Sequence, residues 1–289
     1  MIPVAFDYAA PTSVQEALEL LAKAGDEGKI LAGGQSLIPV LKLRMAAPGI
    51  LIDLGKIDEL RGIREEGDAL VIGAMTRHHK VANDPLVAQH ASLLAKATQT
   101  VADRQVRHRG TLGGALSHAD PAADLPAPAL ALDAEFVIAG PRGTRTVPAS
   151  EFFVDLFTTA LHEDEILTAV RIPKRTGWFS NYQKFVRVAQ QWSIVGVAAT
   201  VRMDGDTIAE ARVALTNMGS VPVRVPSVEQ ALVGCPIEEE AIARATAGAG
   251  EGTTPPSDIN GDADYRRHLA SVLTKRAILG AVPLSQAAA

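Results

Sequence analysis

Two paired-glycine stretches constrain this chain more than anything else in it. They are Ala32-Gly33-Gly34-Gln35-Ser36-Leu37 and Thr111-Leu112-Gly113-Gly114-Ala115-Leu116-Ser117-His118-Ala119-Asp120-Pro121. Glycine has no Cβ, so such a segment brings backbone N–H groups close to an anion. Either pair alone reads equally well as a turn. The two together, each flanked by small and hydroxyl residues, point to a ligand with more than one phosphate, and a dinucleotide pyrophosphate fits. Lys29-Ile30-Leu31 reads as a short strand delivering the first loop, and Leu37 to Arg44 as a short helix after it. The N-terminus of that helix faces whatever the loop holds, where phosphate is favoured. Pro39 is tolerated in its first turn.

Several function classes drop out. The 289 residues suffice for two domains with a divided first one, and 47% hydrophobic residues support a sizeable core. The net charge is −5, with 28 basic residues scattered among 33 acidic ones, which argues against nucleic acid as the main partner. No apolar run reaches membrane-spanning length, since Pro128, Asp133 and Glu135 break the Ala127–Ala139 region. Met1 to Asp7 lacks the basic-then-apolar order of a secretory signal. The expectation is a cytoplasmic chain, reaching the inner membrane face only peripherally, through partners. The one cysteine, Cys235, can neither close an intrachain disulfide nor hold an iron–sulfur cluster alone, and reads as a structural thiol in a loop.

Along the chain, Ser13 and Glu16 have capping-box spacing before an apolar series at Val14, Ala17, Leu18 and Leu21 that Gly25 ends. Ile50–Asp53 reads as a strand and 63–72 as a hairpin around Glu66-Gly67-Asp68. Thr76 is a candidate helix cap, and Asp84-Pro85 opens a helix running to about Thr100. Residues 136–140 and 144–147 form a second hairpin, and 165–172 a strand. Pro173-Lys174-Arg175-Thr176-Gly177 marks a domain boundary. Beyond it come three strands, 182–188, 194–203 and 207–215, with Asp204-Gly205-Asp206 as a hairpin turn, then helices near 227–233, 237–248 and 262–281. The tail 285–289 is expected to fray.

Other chemistry is missing. No G-x-G-x-x-G follows the first strand, and there is no Walker A sequence. His78-His79 has the wrong spacing for two ligands on one helix face, and no Cys/His cluster has zinc spacing. No Ser/His/Asp set stands out, so no catalytic residue is assigned and a cofactor would have to carry the chemistry. Arg104, Arg107, His108 and Arg109 precede the second glycine pair. They either assist a phosphate-bearing ligand or form a solvated or partner-facing surface. Asp120 and Asp124 would be repelled by a pyrophosphate. They suit sugar hydroxyls or backbone N–H groups better, and Asp120 could equally cap a helix.

Ala32–Leu37, Gln105-Val106-Arg107-His108-Arg109-Gly110-Thr111-Leu112-Gly113-Gly114 and Ala119–Asp124, in this order, resemble the FAD-binding medium subunit of molybdenum hydroxylases. That family includes aerobic carbon monoxide dehydrogenase and xanthine dehydrogenase. Pro255 to Arg267 resembles the carbon monoxide dehydrogenase flavoprotein C-terminal domain, so the resemblance spans nearly the whole chain. It implies an α+β fold: a two-lobed FAD-binding domain of the p-cresol methylhydroxylase type over 1–176, with lobes of about 1–55 and 56–176. A smaller α+β domain over 177–289, a three-stranded antiparallel sheet with helices, would lie over the flavin ring.

The resemblance also implies site residues. Ala32, Gly33, Gly34, Gln35, Ser36 and Leu37, with Thr111, Gly113, Gly114 and Ala115, would wrap the pyrophosphate region. Asp120 and Asp124 would hold the ribityl or loop side, and Ala102, Val106, Gly110 and Lys184 join the cofactor-binding set. Trp192 stands where relatives often have a Tyr covering the isoalloxazine, and its indole can stack there. Ala115 stands where relatives often have Ser. Covalently flavinylated relatives use a His in the first loop, and Gln35 there implies non-covalent FAD. The implied role is that of an electron-transfer subunit in a heterotrimer, with a dimer of heterotrimers as the expected assembly. A large partner would carry the molybdenum cofactor, a small partner two 2Fe–2S clusters, and a quinone would be the external acceptor. The C-terminal match leans toward carbon monoxide as substrate. Purines, aldehydes and aromatic heterocycles remain as alternatives, as does a stand-alone flavoprotein oxidoreductase.

Overall fold

The structure is a computed structural model in which residues 1–282 are described, so the tail 285–289 lies outside the described residues. It starts with a small parallel sheet. β1 (Asp7–Ala9), β2 (Gly28–Leu31) and β3 (Ile50–Asp53) pair in the order β1-β3-β2. Parallel neighbours need crossovers, and α1 (Val14–Ala24) and α2 (Leu37–Lys42) lie in them. At the start of α1 the Ser13 hydroxyl accepts from the Glu16 N–H at 3.1 Å. The Glu16 carboxylate accepts from the Thr12 N–H at 2.7 Å, one residue earlier than in a capping box. Ala17 and Leu21 bury against Ile52, Leu54, Ile57 and Leu60, and Met75 and Ile166 from the second lobe complete that core.

The second lobe is an antiparallel sheet with a helical layer. Its strands are β4 (Ile63–Glu66), β5 (Ala69–Gly73), β6 (Glu135–Gly140), β7 (Gly143–Pro148) and, beyond the short hairpin β8 (Phe153–Asp155) and β9 (Thr158–Thr159), β10 (Ile166–Pro173). The order is β4-β5-β10-β6-β7. Between β5 and β6 run α3 (His78–Asn83), α4 (Pro85–His90), α5 (Ser92–Gln99), α6 (Arg104–Arg109), α7 (Leu112–His118) and α8 (Pro126–Ala131), and α9 (Ala149–Phe152) follows β7. Phe136 stacks on Phe152 at 3.9 Å, with Phe153 edge-on to both.

Two local expectations are corrected here. The single helix from Asp84 to Thr100 is two, because Ala91 leaves the helical region at φ −142°, ψ 47°. The buried His90 beside it has Nδ1 2.7 Å from the Thr176 hydroxyl, and this side-chain tie draws the corner toward the end of the lobe. Thr76 caps no helix. Its hydroxyl donates to the Gly62 carbonyl and accepts from the Gly62 N–H, both at 3.1 Å.

The C-terminal sheet has four strands rather than three: β11 (Phe179–Phe185), β12 (Val195–Asp204), β13 (Thr207–Thr216) and β14 (Val223–Arg224), antiparallel in that order. β14 is two residues long, too short to show any alternation in sequence. α10 (Pro226–Leu232), α11 (Glu239–Thr246) and α12 (Ala263–Leu279) cover one face, meeting Val195, Val197, Ala199 and Val201. The other face packs on the second lobe, where Tyr182, Ala198 and Ala214 enter that lobe's core. Burial on both faces explains why Val195–Val201 is an unbroken buried run instead of an alternating one. Asp133, just past α8, accepts from Arg175, Arg212 and Arg224, so one carboxylate ties the lobe, the connection and the C-terminal sheet together.

Candidate functional site

The two glycine segments meet. A Cβ on Gly33 would lie 2.5 Å from the Arg109 carbonyl oxygen and 2.6 Å from the Gly110 Cα. One on Gly114 would lie 2.7 Å from the Thr111 hydroxyl and 3.2 Å from the Ala32 Cβ. At Gly33 backbone presses on backbone, which leaves no room for a side chain, and at Gly114 the space is taken by the capping hydroxyl of Thr111 and the methyl of Ala32. Gly34 adds a left-handed φ of +75°, which turns the chain from β2 into α2.

Their backbone donors are used differently. Among the described residues, the N–H groups of Gly33, Gly34, Gln35 and Ser36 donate to no acceptor in the chain, and Gln35 and Ser36 are exposed. Four successive free N–H groups in a turn make an anion-binding concavity. The second pair lies at the start of α7 rather than in a loop. The Leu112 N–H donates to the Thr76 carbonyl at 2.9 Å and the Gly113 N–H to Ala74 at 2.8 Å. The Gly114 N–H donates to its cap, Thr111, at 3.2 Å. A Cβ on Gly113 would meet the Ala74 Cβ at 2.5 Å. The second pair therefore seats α7 and walls the first loop, and the first pair keeps the donors. Ala115 is half-buried behind them.

Ala102, Val106 and Gly110 set the position of α6. Ala102 takes φ +39° between α5 and α6, and its carbonyl accepts from Arg107. Asp103 caps α6 by accepting from the Val106 N–H at 2.8 Å. Gly110 ends α6, and its carbonyl accepts from the His78 N–H at 2.9 Å. A Cβ there would lie 2.7 Å from the His78 ring. Burial, with Arg107 nearby, lowers the His78 imidazole to about 4, so the ring is neutral under the glycine segment. His79 and His108 stack at 4.0 Å on the exposed side of α3 and α6.

Asp120 accepts from the Ala122 N–H at 2.9 Å, a local turn. Asp124 is buried and shared. One oxygen accepts from the Tyr182 and Ser193 hydroxyls, both at 2.9 Å, and the other from the Lys184 ammonium at 2.7 Å. Lys184 also donates to the Thr100 carbonyl at 3.1 Å, two residues before Ala102. Burial pushes the Asp124 carboxyl above its ordinary value although Lys184 pulls the other way. Burial also raises Tyr182 far above its ordinary value, with Asp124 adding to it. The Ser193 N–H donates to the Ala122 carbonyl at 3.3 Å and the Asn217 N–H to Pro121 at 2.9 Å. The segment from Asp120 to Asp124 is thus stitched to the turn after Trp192, which is itself 65% exposed.

The structure gathers the predicted residues into two groups: 32–37 with 110–115, and Asp120, Asp124 and Lys184 with the Trp192 turn. Lys184 and the Thr100–Ala102 turn join them. Sequence reasoning missed Tyr182, Ser193, Asn217 and Arg266, which build this scaffold. Three are polar residues within or beside apolar strands. Arg266 interrupts the apolar face that Leu269 and Leu273 continue on α12, and a cation there is the signal that was legible.

Comparison with known proteins agrees with this geometry. Residues 4–175 match the family model described as the FAD binding domain in molybdopterin dehydrogenase. Residues 180–281 match the carbon monoxide dehydrogenase flavoprotein C-terminal domain. The chain is 43% identical over 281 residues to the carbon monoxide dehydrogenase medium chain of Hydrogenophaga pseudoflava, covering 96% of this chain and 97% of that one. A solved carbon monoxide dehydrogenase from that organism, lacking the Mo-pyranopterin moiety of its cofactor, superimposes with a TM-score of 0.93 at 44% identity, covering 97% of this chain and 98% of that one. Quinoline 2-oxidoreductase from Pseudomonas putida 86 does so with a TM-score of 0.93 at 37% identity, with the same coverage. The free donors of the first glycine loop and the match along nearly all of its length agree: this chain belongs to the FAD-binding family of the molybdopterin dehydrogenases, with the carbon monoxide dehydrogenase flavoprotein C-terminal domain.

Proposed function

We propose that this chain is the FAD-carrying electron-transfer subunit of a carbon monoxide dehydrogenase-type molybdenum hydroxylase. The observation that carries the reading is the row of four unengaged N–H groups at Gly33–Ser36, walled by the second glycine segment. That donor set suits the pyrophosphate of a dinucleotide, so the residues present fit FAD. Ala32, Gly33, Gly34, Gln35, Ser36 and Leu37 hold the pyrophosphate, and Thr111, Gly113, Gly114 and Ala115 form the wall that shapes its seat. Ala102, Val106 and Gly110 set that wall's approach, Asp120 lies toward the ribityl side, and Asp124 and Lys184, buried against each other, brace the ring side from behind. Trp192 covers the isoalloxazine face. With Gln35 rather than His in the loop, FAD is held without a covalent bond. When bound, FAD supplies the junction between one-electron and two-electron chemistry, and this chain binds, orients and shields it.

The large molybdenum-cofactor subunit and the small iron–sulfur subunit complete the enzyme, as a dimer of heterotrimers. The external acceptor is a quinone, reached at the inner face of the cell membrane through partners. Among the described residues no helix is long and apolar enough to cross a membrane. Carbon monoxide is the favoured substrate on the 43% identity to a carbon monoxide dehydrogenase medium chain. A second reading, an aromatic-heterocycle dehydrogenase, has the equal fit of the quinoline enzyme in its favour.

Purification of the native complex tests all of this. The expected result is flavin absorption with an iron–sulfur shoulder, a large and a small partner, bleaching under carbon monoxide and reoxidation by a soluble quinone. Bleaching by quinoline but not carbon monoxide selects the second reading. A chain that takes up no FAD in its complex overturns the assignment of the first glycine loop.

A further inference from the structure

Among the described residues, Arg266 is the largest side chain that is fully buried, at 0% exposure on α12. A lone guanidinium in a core is costly unless its donors are met, and here three are met in three directions. Nη1 donates to the Ile194 carbonyl, Nη2 to the Asp258 carboxylate at 2.7 Å, and Nε to the Gly261 carbonyl at 3.4 Å. Asp258 and Gly261 close a tight turn, with N–H to carbonyl bonds of 3.1 and 3.2 Å between them. Burial raises the Asp258 carboxyl, but the Asn260 backbone and Arg266 outweigh it and hold it below its ordinary value.

That turn grips the chain leading to Trp192. The Gln191 amide donates to the Asn260 side-chain oxygen at 3.1 Å, and the Arg187 guanidinium to the Ile259 carbonyl at 3.2 Å. On the far side of Trp192, Ser193 is held by Asp124 and the Ile194 carbonyl by Arg266. The indole is exposed, yet the residues on both sides are pinned, and Arg266 reaches both pins: directly at Ile194, and through the 258–261 turn at Gln191.

We propose that Arg266 is a positioning residue that sets the orientation of Trp192 toward the flavin by locking the 187–194 turn to the 258–261 turn. The inference rests on the reading of Trp192 as the flavin cover. A planar fork serving three acceptors has no equivalent in lysine, whose ammonium is a point charge, so Arg266→Lys is not conservative here. Nothing in this arrangement touches Gly33–Ser36, so FAD retention is expected to survive the loss of the clamp.

The experiment uses the assembled complex with Trp192→Ala, Arg266→Gln, Arg266→Lys and the double variant W192A/R266Q. Asp258→Asn is the milder probe, since the Asp258 side chain is partly exposed and its removal leaves Arg266 in place. The readouts are bound FAD per chain, the visible circular dichroism of the flavin, and the KM and kcat for a soluble quinone. The expected result is unchanged FAD content in R266Q and D258N, a flavin dichroism shifted in the same direction by W192A, R266Q and D258N, partial return in R266K, and a raised KM for the quinone. The double variant is expected to look like W192A alone, because the two residues act through one element. If W192A moves the dichroism while R266Q and D258N do not, or if their effects add, the positioning role is overturned and the flavin cover stands. If W192A itself leaves the dichroism unchanged, the flavin-cover reading fails and this inference fails with it.

Discussion

Gly33→Ala is the sharpest probe of the site, because the structure says what the new methyl meets. It would lie 2.5 Å from the Arg109 carbonyl oxygen and 2.6 Å from the Gly110 Cα, where ordinary contact begins at 3.4 Å. Both obstacles are backbone, so no side chain can swing aside, and the two glycine segments must part by about 0.9 Å. Overpacking of this kind costs about 1–3 kcal/mol. If the parting falls on the Gly33–Ser36 donors, FAD affinity drops by roughly 5- to 150-fold, at 1.4 kcal/mol per factor of ten. Two controls separate affinity from folding. Gly34→Ala strains a left-handed φ of +75° but meets side chains alone, Ile38 at 3.0 Å and Leu31 at 3.5 Å, and is expected to cost about 1–2 kcal/mol of stability. Gly67→Ala, at φ +60° with nothing within 4 Å, strains a distant turn and is expected to leave FAD affinity unchanged. FAD titration of the deflavinated complex reads the affinities, and thermal unfolding reads the folding cost. Wild-type FAD affinity in Gly33→Ala would refute the close-approach explanation of this glycine.

Asp124→Ala leaves the Lys184 ammonium buried without its partner, and a urea midpoint is expected to show a loss of about 3–5 kcal/mol; a loss under 1 kcal/mol would show the pair to be dispensable. His78 makes stability depend on pH with a definite sign. Its folded value of about 4 lies below the ordinary 6.5, so the unfolded chain binds the proton more readily. Its contribution is complete above pH 6.5 and is lost progressively as pH falls toward 4, for a total of roughly 3 kcal/mol. His78→Gln is expected to flatten that slope in denaturant titrations between pH 7 and 4.5. Glu165 acts in a lower window. The Arg145 hydrogen bonds hold it at about 2, so its stabilisation is present above pH 4.5 and lost as pH falls through about 2. Arg145→Met is expected to remove that acid-range loss and leave the His78 slope intact.

Much of the fold was legible because local rules and the tertiary structure agree. Ser13 and Gly25 bound α1 as capping chemistry requires, and the Asp204-Gly205-Asp206 hairpin closes β12 onto β13. Where local signals were weak, reading failed. β14 has two residues and no period, Ala91 breaks a helix with no proline or glycine to announce it, and Thr76 spends its hydroxyl on Gly62 from another segment.

By itself the sequence pointed to two backbone segments that approach something closely, since two glycine pairs flanked by small and hydroxyl residues are more than turns require. It also determined family and fold class, through the order of those motifs. Only the tertiary structure decided what each pair approaches. Gly33 faces Arg109 and Gly110, and Gly113 faces Ala74, while among the described residues the four N–H groups of Gly33–Ser36 stay free and those of the second pair are used at home. It alone placed Asp124 against Lys184, 60 residues away, and Arg266 against Ile194, 72 residues away. Hydrogen-bond partners so distant in the chain leave no mark on local periodicity, because they arise where separately formed elements pack. A donor's availability depends on which partners the fold brings within about 3 Å of it.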